Sequence, residues 1–399
     1  MKRVNSILAI ILSLAVVPES RGQRQAGNND FIAVDVTRSY SKKKELILQD
    51  FMDVEYITLE ANDDFVNQGH VLDIGKEIIL VKNRVNDGNI FVYDRHGKAL
   101  RKINRKGQGN EEYTYITNII LDEDKKEMFV SDHNLRKILV YDLYGKFKRS
   151  FRHREGSFKT KESSRESSLF YTDIFNYNRD NLICYDQYNE EITFVLVSKH
   201  DGSITRGIKV PFKEKKLLVQ VTSDGSGTHI VGPGPHRSII PFKGDWLLLE
   251  PSSDTVFTFL PDYSLRPFVA RTPSIQSMDP GVFLILRLLS DRYYFMEAIT
   301  NIWDWNAGAG FPKSYLIYDR QEKAFSGYTV YNGDFSTKKE IYMSVTTPVN
   351  HEIESWYPLE AYQLVESYNK GELKGRLKEV AAKLDEDSNP VIMLIRHKK

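Results

Sequence analysis

The sequence predicts an all-β chain folded as a six-bladed β-propeller of four-stranded blades, with strands from the two ends of the chain closing the ring. Three observations carry this expectation. A strand-and-turn unit repeats along the chain, a second strand recurs before it at near-constant spacing, and a wholly apolar run lies close to the C-terminus.

The repeated unit is clearest in two copies. Asn89-Ile-Phe-Val-Tyr-Asp-Arg-His-Gly-Lys98 and Lys137-Ile-Leu-Val-Tyr-Asp-Leu-Tyr-Gly-Lys146 match almost letter for letter. Tyr315-Leu-Ile-Tyr-Asp-Arg-Gln-Glu-Lys323 is a third copy without the glycine; Phe194 to Gly202 and Val256 to Tyr263 are looser relatives. Each is a β-branched and aromatic run that ends in an Asp/Gly turn, the pattern of a strand entering a hairpin. The strand before it starts near Ile78, Met128, Leu182, Leu247, Tyr293 and Ile341, and the widest step is the one from Leu182 to Leu247. A period of roughly 50 residues leaves room for four strands, and that is the arithmetic of a propeller blade. Helical repeats fail as an account because three-to-four-residue apolar spacing is scarce between Ile74 and Val345. A β-sandwich would not repeat six times at so even a spacing.

The ends close the ring. Val391-Ile-Met-Leu-Ile395 reads as a strand buried on both faces, and Val54-Glu-Tyr-Ile-Thr-Leu-Glu60 alternates as an edge strand does. The sixth blade lacks its last strands locally, so both segments are expected to complete it and hide open edges. A helical insertion is expected over about 358–387. Pro358 suits a first helical turn, and Leu373, Leu377, Val380, Ala381 and Leu384 form an amphipathic stripe. That stripe is expected to pack on the propeller rim. Ser157 to Ser168 and Gly225 to Pro235 read as connections between blades.

The first residues read as an export signal over 1–22, leaving one domain over 23–399. Lys2 and Arg3 precede an apolar run from Ile7 to Val17, too short for the roughly 20 residues that span a bilayer. No cysteine lies near the expected cut, so a soluble periplasmic or secreted product is expected rather than a lipoprotein, with no transmembrane segment after processing. Cys184 is the only cysteine, so no internal disulfide can form, and it reads as a small buried hydrophobe. With 55 basic and 54 acidic residues the net charge is +1, without the basic excess of a nucleic-acid-binding domain.

Arg105-Lys-Gly-Gln-Gly-Asn-Glu-Glu-Tyr113 resembles the G-x-G-P-G-E-[YF] loop of an exported six-bladed β-propeller family of gut-dwelling Gram-negative bacteria. Asn110 stands in place of the proline and Glu111 in place of the third glycine. Val130 to Gly145 is similar to an NHL repeat, and Asp387-Ser-Asn-Pro-Val-Ile-Met-Leu-Ile395 resembles the ending of that family. The resemblance runs from about Phe31 onward. It implies the propeller fold and no shared activity; many members are lipoproteins, and this chain departs from them in lacking the cysteine.

Catalytic spacings are missing. His351-Glu352 has no second histidine in zinc-protease register, and there is neither a G-x-S-x-G elbow nor a phosphate-binding loop. Three places remain as candidates. The Gly107–Tyr113 loop could present N–H groups and Tyr113 near the channel, or serve only as a connector that needs glycine. Trp303 and Trp305, on a glycine-rich insertion, could stack on a sugar or peptide, or plug the rim. Asp132-His133 and His236-Arg237, beside inner strands, could reach the channel mouth, with Asp132 a calcium ligand, or simply bond within turns.

The expectation is therefore a monomeric, non-enzymatic binding or scaffolding propeller without a cofactor. Its ligand would be a glycan, a peptide or an envelope protein, engaged by Trp303, Trp305, Tyr113, His133, His236 and Arg237. The alternative is a metal-dependent hydrolase or lyase at the channel mouth, with calcium as its cofactor, which requires at least three carboxylate, Asn or His side chains converging there.

Overall fold

The structure, a computed structural model, describes residues 31–153, 157–158, 167–168, 171–225 and 227–398. The expected export signal and most of the Ser-rich connection from 157 to 168 lie outside the described residues.

The short apolar runs become strands arranged as the repeat demands. Blade one is made of His70–Ile74, Ile78–Lys82, Asn89–Asp94 and Ala99–Asn104, paired in chain order and antiparallel. Blades two to five repeat this order, with innermost strands Ile116–Asp122, Asp173–Asn176, Ile239–Phe242 and Val282–Leu289. Six apolar clusters fill the gaps between neighbouring blades. Side chains on the two faces of each middle strand enter different clusters: Leu80 packs towards blade two and Ile79 towards blade six. Alternation across a pleated strand therefore becomes radial packing around a ring.

The repeated Tyr-Asp-x-x-Gly unit has a physical cause. Asp94 Oδ1 accepts the N–H groups of His96 and Lys98, and Asp142 Oδ1 accepts those of Tyr144 and Lys146. Gly97 and Gly145 both take φ +85°, and a Cβ on Gly97 would collide with the Thr58 carbonyl oxygen of the neighbouring blade. A Cβ on Gly145 would meet Ile103, and one on Gly202 would meet Phe151, each on the outermost strand of the preceding blade. The glycine thus permits both the turn and the close approach of adjacent blades. In blade five, where the glycine is lost, Lys323 carries the positive φ instead.

The sixth blade is assembled from distant segments. Asp53–Thr58 pairs with Val391–Arg396, which pairs with Ile353–Leu359. The irregular stretch 345–350 lies inside them: Thr347 N–H bonds Ser355 Oγ, and Val349 and Asn350 N–H bond the Ile353 carbonyl. The strand expected at Ile341 is a short 3-10 turn, Met343–Val345, and the second strand of this blade begins at Ile353 instead. Ile32–Asp35 and Lys43–Ile47 add parallel fifth strands to blades four and five, so the N-terminal segment runs along three outer edges before closing the ring. The helical insertion consists of Ala361–Asn369 and Gly375–Ala381, later than Pro358, which lies in the strand. Leu364, Leu377, Val380 and Ala381 pack into the cluster between blades five and six.

Candidate functional site

A cavity of about 960 Å³ occupies the axis, lined by the starts and ends of the inner strands. Its two ends differ. At the end carrying the turns after the inner strands, Glu123 of blade two reaches into the turn of blade one and accepts N–H bonds from Lys76, Glu77 and Ile78. Gly75 makes room for it, since a Cβ there would collide with the Glu123 carboxylate. Asn350 donates to the Ile74 carbonyl, and the His351 ring stands edge-on to Trp246 at 4.7 Å. This end is stitched from side chain to backbone.

The opposite end, the mouth, brings together His70, Thr117, Asn118, Thr172, Asp173, His236, Arg237 and Trp356, which come from five blades. Asp173 is its anchor. One carboxylate oxygen takes the Arg237 Nη1 bond at 2.9 Å, and the other takes the N–H groups of Ser238 and Ile239. The Arg237 guanidinium lies over Phe175, 5.3 Å from the ring centre. Its Nε bonds nothing although buried, and its Nη2 has no partner among the described residues. Arg237 therefore spends only one corner of its fork on Asp173. His70 stands edge-on to Trp356 at 5.4 Å. Burial, followed by the positive charges of Lys82, Arg84 and Arg237, lowers the His70 pKa to about 4, so its ring is neutral at pH 7. Burial also lowers the His236 pKa. Deeper in the channel Asp73 accepts the N–H groups of Ile74 and Leu121, and burial raises its pKa to about 6.

A long excursion between blades three and four delivers His236 and Arg237. It includes the hairpin Gln220–Asp224 with Gly227–Val231 and then crosses towards blade five. There Arg287 Nη1 donates to the Pro235 carbonyl at 2.8 Å, and Lys313 Nζ donates to the Pro233 carbonyl at 3.0 Å. The proline and glycine residues of 232–235 thus bridge two blades, and the residues after them line the cavity.

Of the site residues expected from sequence, His236 and Arg237 line the channel and the other five do not. Tyr113 is fully buried; its hydroxyl donates to the Gly88 carbonyl and accepts from Arg105 N–H, so it locks the Gly107–Tyr113 loop instead of facing a ligand. Asp132 ends a second strand, one place out from the channel, and its carboxylate is filled by N–H bonds from Thr114, Tyr115 and Leu135. His133 follows it on the outside, with its ring 6.1 Å from that of Tyr115. Trp303 is half-buried and packs on Phe311 at 5.6 Å, while Trp305 is 39% exposed on the same hairpin. Among the described residues no three His, Cys, Asp or Glu side chains converge as ligands for a metal ion. Sequence reasoning missed His70, Asp173 and Trp356, because each is alone in its own blade and has no motif around it.

No helix among the described residues is long and apolar enough to cross a membrane. No curated protein matches the chain. The crystal structure of a Bacteroides fragilis protein described as exported is similar in fold, with a TM-score of 0.56 at 15% identity over 92% of this chain and 100% of that one. That likeness is one of fold alone, and it agrees with the propeller described above. A member of the DUF4221 family from Bacteroides vulgatus aligns over 87% of this chain and 99% of its own, at 10% identity and a TM-score of 0.46. In sequence, residues 31–271 match the family described as "Domain of unknown function (DUF4934)", and with more than half of its length matched the chain belongs to that family.

Proposed function

We propose that the protein is an exported, non-enzymatic binding propeller whose ligand enters the mouth of the central channel. The observation that carries this reading is the polar cavity at the mouth, where side chains from five blades converge around an arginine with unused donors. Pockets of this size with a few convergent polar groups are the usual place for a small ligand. Blade-to-blade packing leaves Asp173, His236 and Arg237 in fixed positions, so the mouth is preformed. The exposed Trp305 hairpin is the competing place, but its partner Trp303 is engaged in packing.

The test is to probe immobilised glycan and peptide arrays with the full chain, then measure each ligand again on Arg237→Met, Trp356→Ala and a Trp303→Ala/Trp305→Ala pair. The reading expects a ligand lost in the first two variants and retained in the tryptophan pair. A ligand retained by the mouth variants and lost with the pair would move the site to the hairpin, and a chain that binds nothing would overturn the binding function.

A further inference from the structure

The excursion that delivers His236 and Arg237 contains the strap Gly232-Pro-Gly-Pro235, whose last two residues line the cavity. Proline has no N–H, so only Gly232 and Gly234 could donate to a backbone ladder. Neither does: among the described residues the strap makes no backbone–backbone hydrogen bond. Gly232, Gly234 and Pro235 are exposed, and Gly234 takes φ +101° with nothing within 4 Å of an added Cβ. Both flanks are fastened. Val231 pairs with Gln220 and packs on a core cluster, while Asp173 holds Arg237, Ser238 and Ile239. The strap itself is held by side chains alone: Arg287 Nη1 on the Pro235 carbonyl, Lys313 Nζ on that of Pro233, and a long 3.4 Å contact from His236 Nδ1 to that of Gly234.

The two cations have a second partner within blade five. Arg287 Nη2 donates to Glu297 Oε2 at 2.8 Å, and Lys313 Nζ lies 3.9 Å from the same oxygen. Glu297 Oε1 is buried and bonds nothing. If the proline carbonyls leave, Arg287 keeps Oε2 and Lys313 can close on Oε1, so release strands no unpaired buried charge. A segment without a ladder, fastened by donors that have another acceptor beside them, is a two-state element.

We propose that Gly232–Pro235 is a gate on the channel mouth, latched by Arg287 and Lys313 and released when Lys313 turns to Glu297. It swings between Val231 and a pivot at His236 and Arg237, which Asp173 keeps in place. The latched position narrows the mouth, and the released one widens it on the side of blade five. This inference rests on the channel-mouth reading and adds the control of access to it.

Thiol labelling of the full chain tests it. Thr117→Cys places a thiol on the wall of the mouth, and Cys184, the only native cysteine, is buried and reports general loosening. The probes are N-ethylmaleimide, which is small, and fluorescein maleimide, which is bulky. With the latch intact the bulky probe should react much more slowly than the small one. Adding Lys313→Met should speed the bulky probe about tenfold and leave the small one nearly unchanged. Glu297→Gln leaves one acceptor oxygen, already taken by Arg287, and should slow the bulky probe below its rate in the intact latch. Circular dichroism and melting show which variants keep the fold; Lys313 is partly exposed, so its variant carries the test if Glu297→Gln does not fold. Equal rates with and without Lys313→Met would overturn the inference, as would an intact latch that admits both probes alike. So would acceleration shared by Cys184, or a folded Glu297→Gln chain that admits the bulky probe faster. The measurement uses no ligand, so its failure leaves the mouth site standing, and a ligand found only on the Trp305 hairpin would remove that site without altering these rates.

Discussion

The outer hairpins and the channel mouth are built on opposite principles. The hairpins solve one problem several times with the same residues. An aspartate caps the turn, a residue with positive φ follows, and in blades one to three a glycine lets the turn seat on the outer strand of the preceding blade. The ladder between the third and fourth strands even shifts register at the same place in blades one, two and three, passing over Leu100, Lys148 and Thr205. The mouth solves its problem once. His70, Thr117, Asp173, Arg237 and Trp356 each come from a different blade and share no common residue type. What repeats here is scaffold, and what departs from the repeat is where a ligand can be told apart from solvent.

Substitutions can break that contrast, and the largest effect is expected at a hairpin. Gly97→Ala places a Cβ against the Thr58 carbonyl at the seam that closes the ring, and should lose about 3 kcal/mol of stability in urea unfolding. Gly244→Ala is its control: φ is +84° there, but nothing lies within 4 Å of the added carbon, so about 1 kcal/mol is expected from backbone strain alone. Equal losses would mean that seating on the neighbouring blade is not what the glycine provides.

A smaller effect is expected for Asp142→Ala, which strands two turn N–H groups that water can partly satisfy. A loss of about 1 kcal/mol, read from the same unfolding curves, fits a pair of exposed hydrogen bonds. The same change at Asp94 should cost as much, because the two turns are copies; a strong inequality would show that the repeat is one of sequence and not of energetics.

The smallest effect belongs to the mouth. The folded His70 pKa, about 4, is below its ordinary 6.5, so the unfolded chain binds more protons between those values. The stability His70 contributes is fully present above pH 6.5 and is lost as the pH falls towards 4. His153, whose pKa burial also lowers to about 4, adds to that loss, while Asp73, raised to about 6, opposes it between pH 6 and 3.8. His70→Gln should therefore flatten the decline from pH 6.5 to 4 and change stability at pH 7.5 by less than about 1 kcal/mol. An unchanged slope would contradict a buried neutral imidazole at the mouth.

The same contrast decides what the sequence discloses. The Tyr-Asp-x-x-Gly copies and the apolar run 391–395 are legible because burial on two faces and turn chemistry leave a pattern in neighbouring residues. The parallel strands Ile32–Asp35 and Lys43–Ile47 leave no such pattern. Their partners, Leu265–Thr272 and Ala324–Tyr331, lie far along the chain, and the pairing depends only on a free edge. Ile341 to Val345 looks like a strand by composition, yet it turns at Met343–Val345, and the blade resumes at Ile353. The site left one trace. The interval between Leu182 and Leu247 is the longest in the repeat, and it holds the excursion that carries His236 and Arg237 to the mouth. Trp303 and Trp305 are conspicuous in sequence because tryptophan is unusual on a glycine-rich loop, whereas Asp173 and Trp356 acquire meaning only when the ring closes.

The most direct measurement is a crystal structure of the full chain bound to its strongest array ligand. The ligand is expected in the channel mouth, within hydrogen-bonding distance of the Arg237 guanidinium and beside Trp356. A ligand seated on the Trp305 hairpin, with the mouth holding only water, would contradict it.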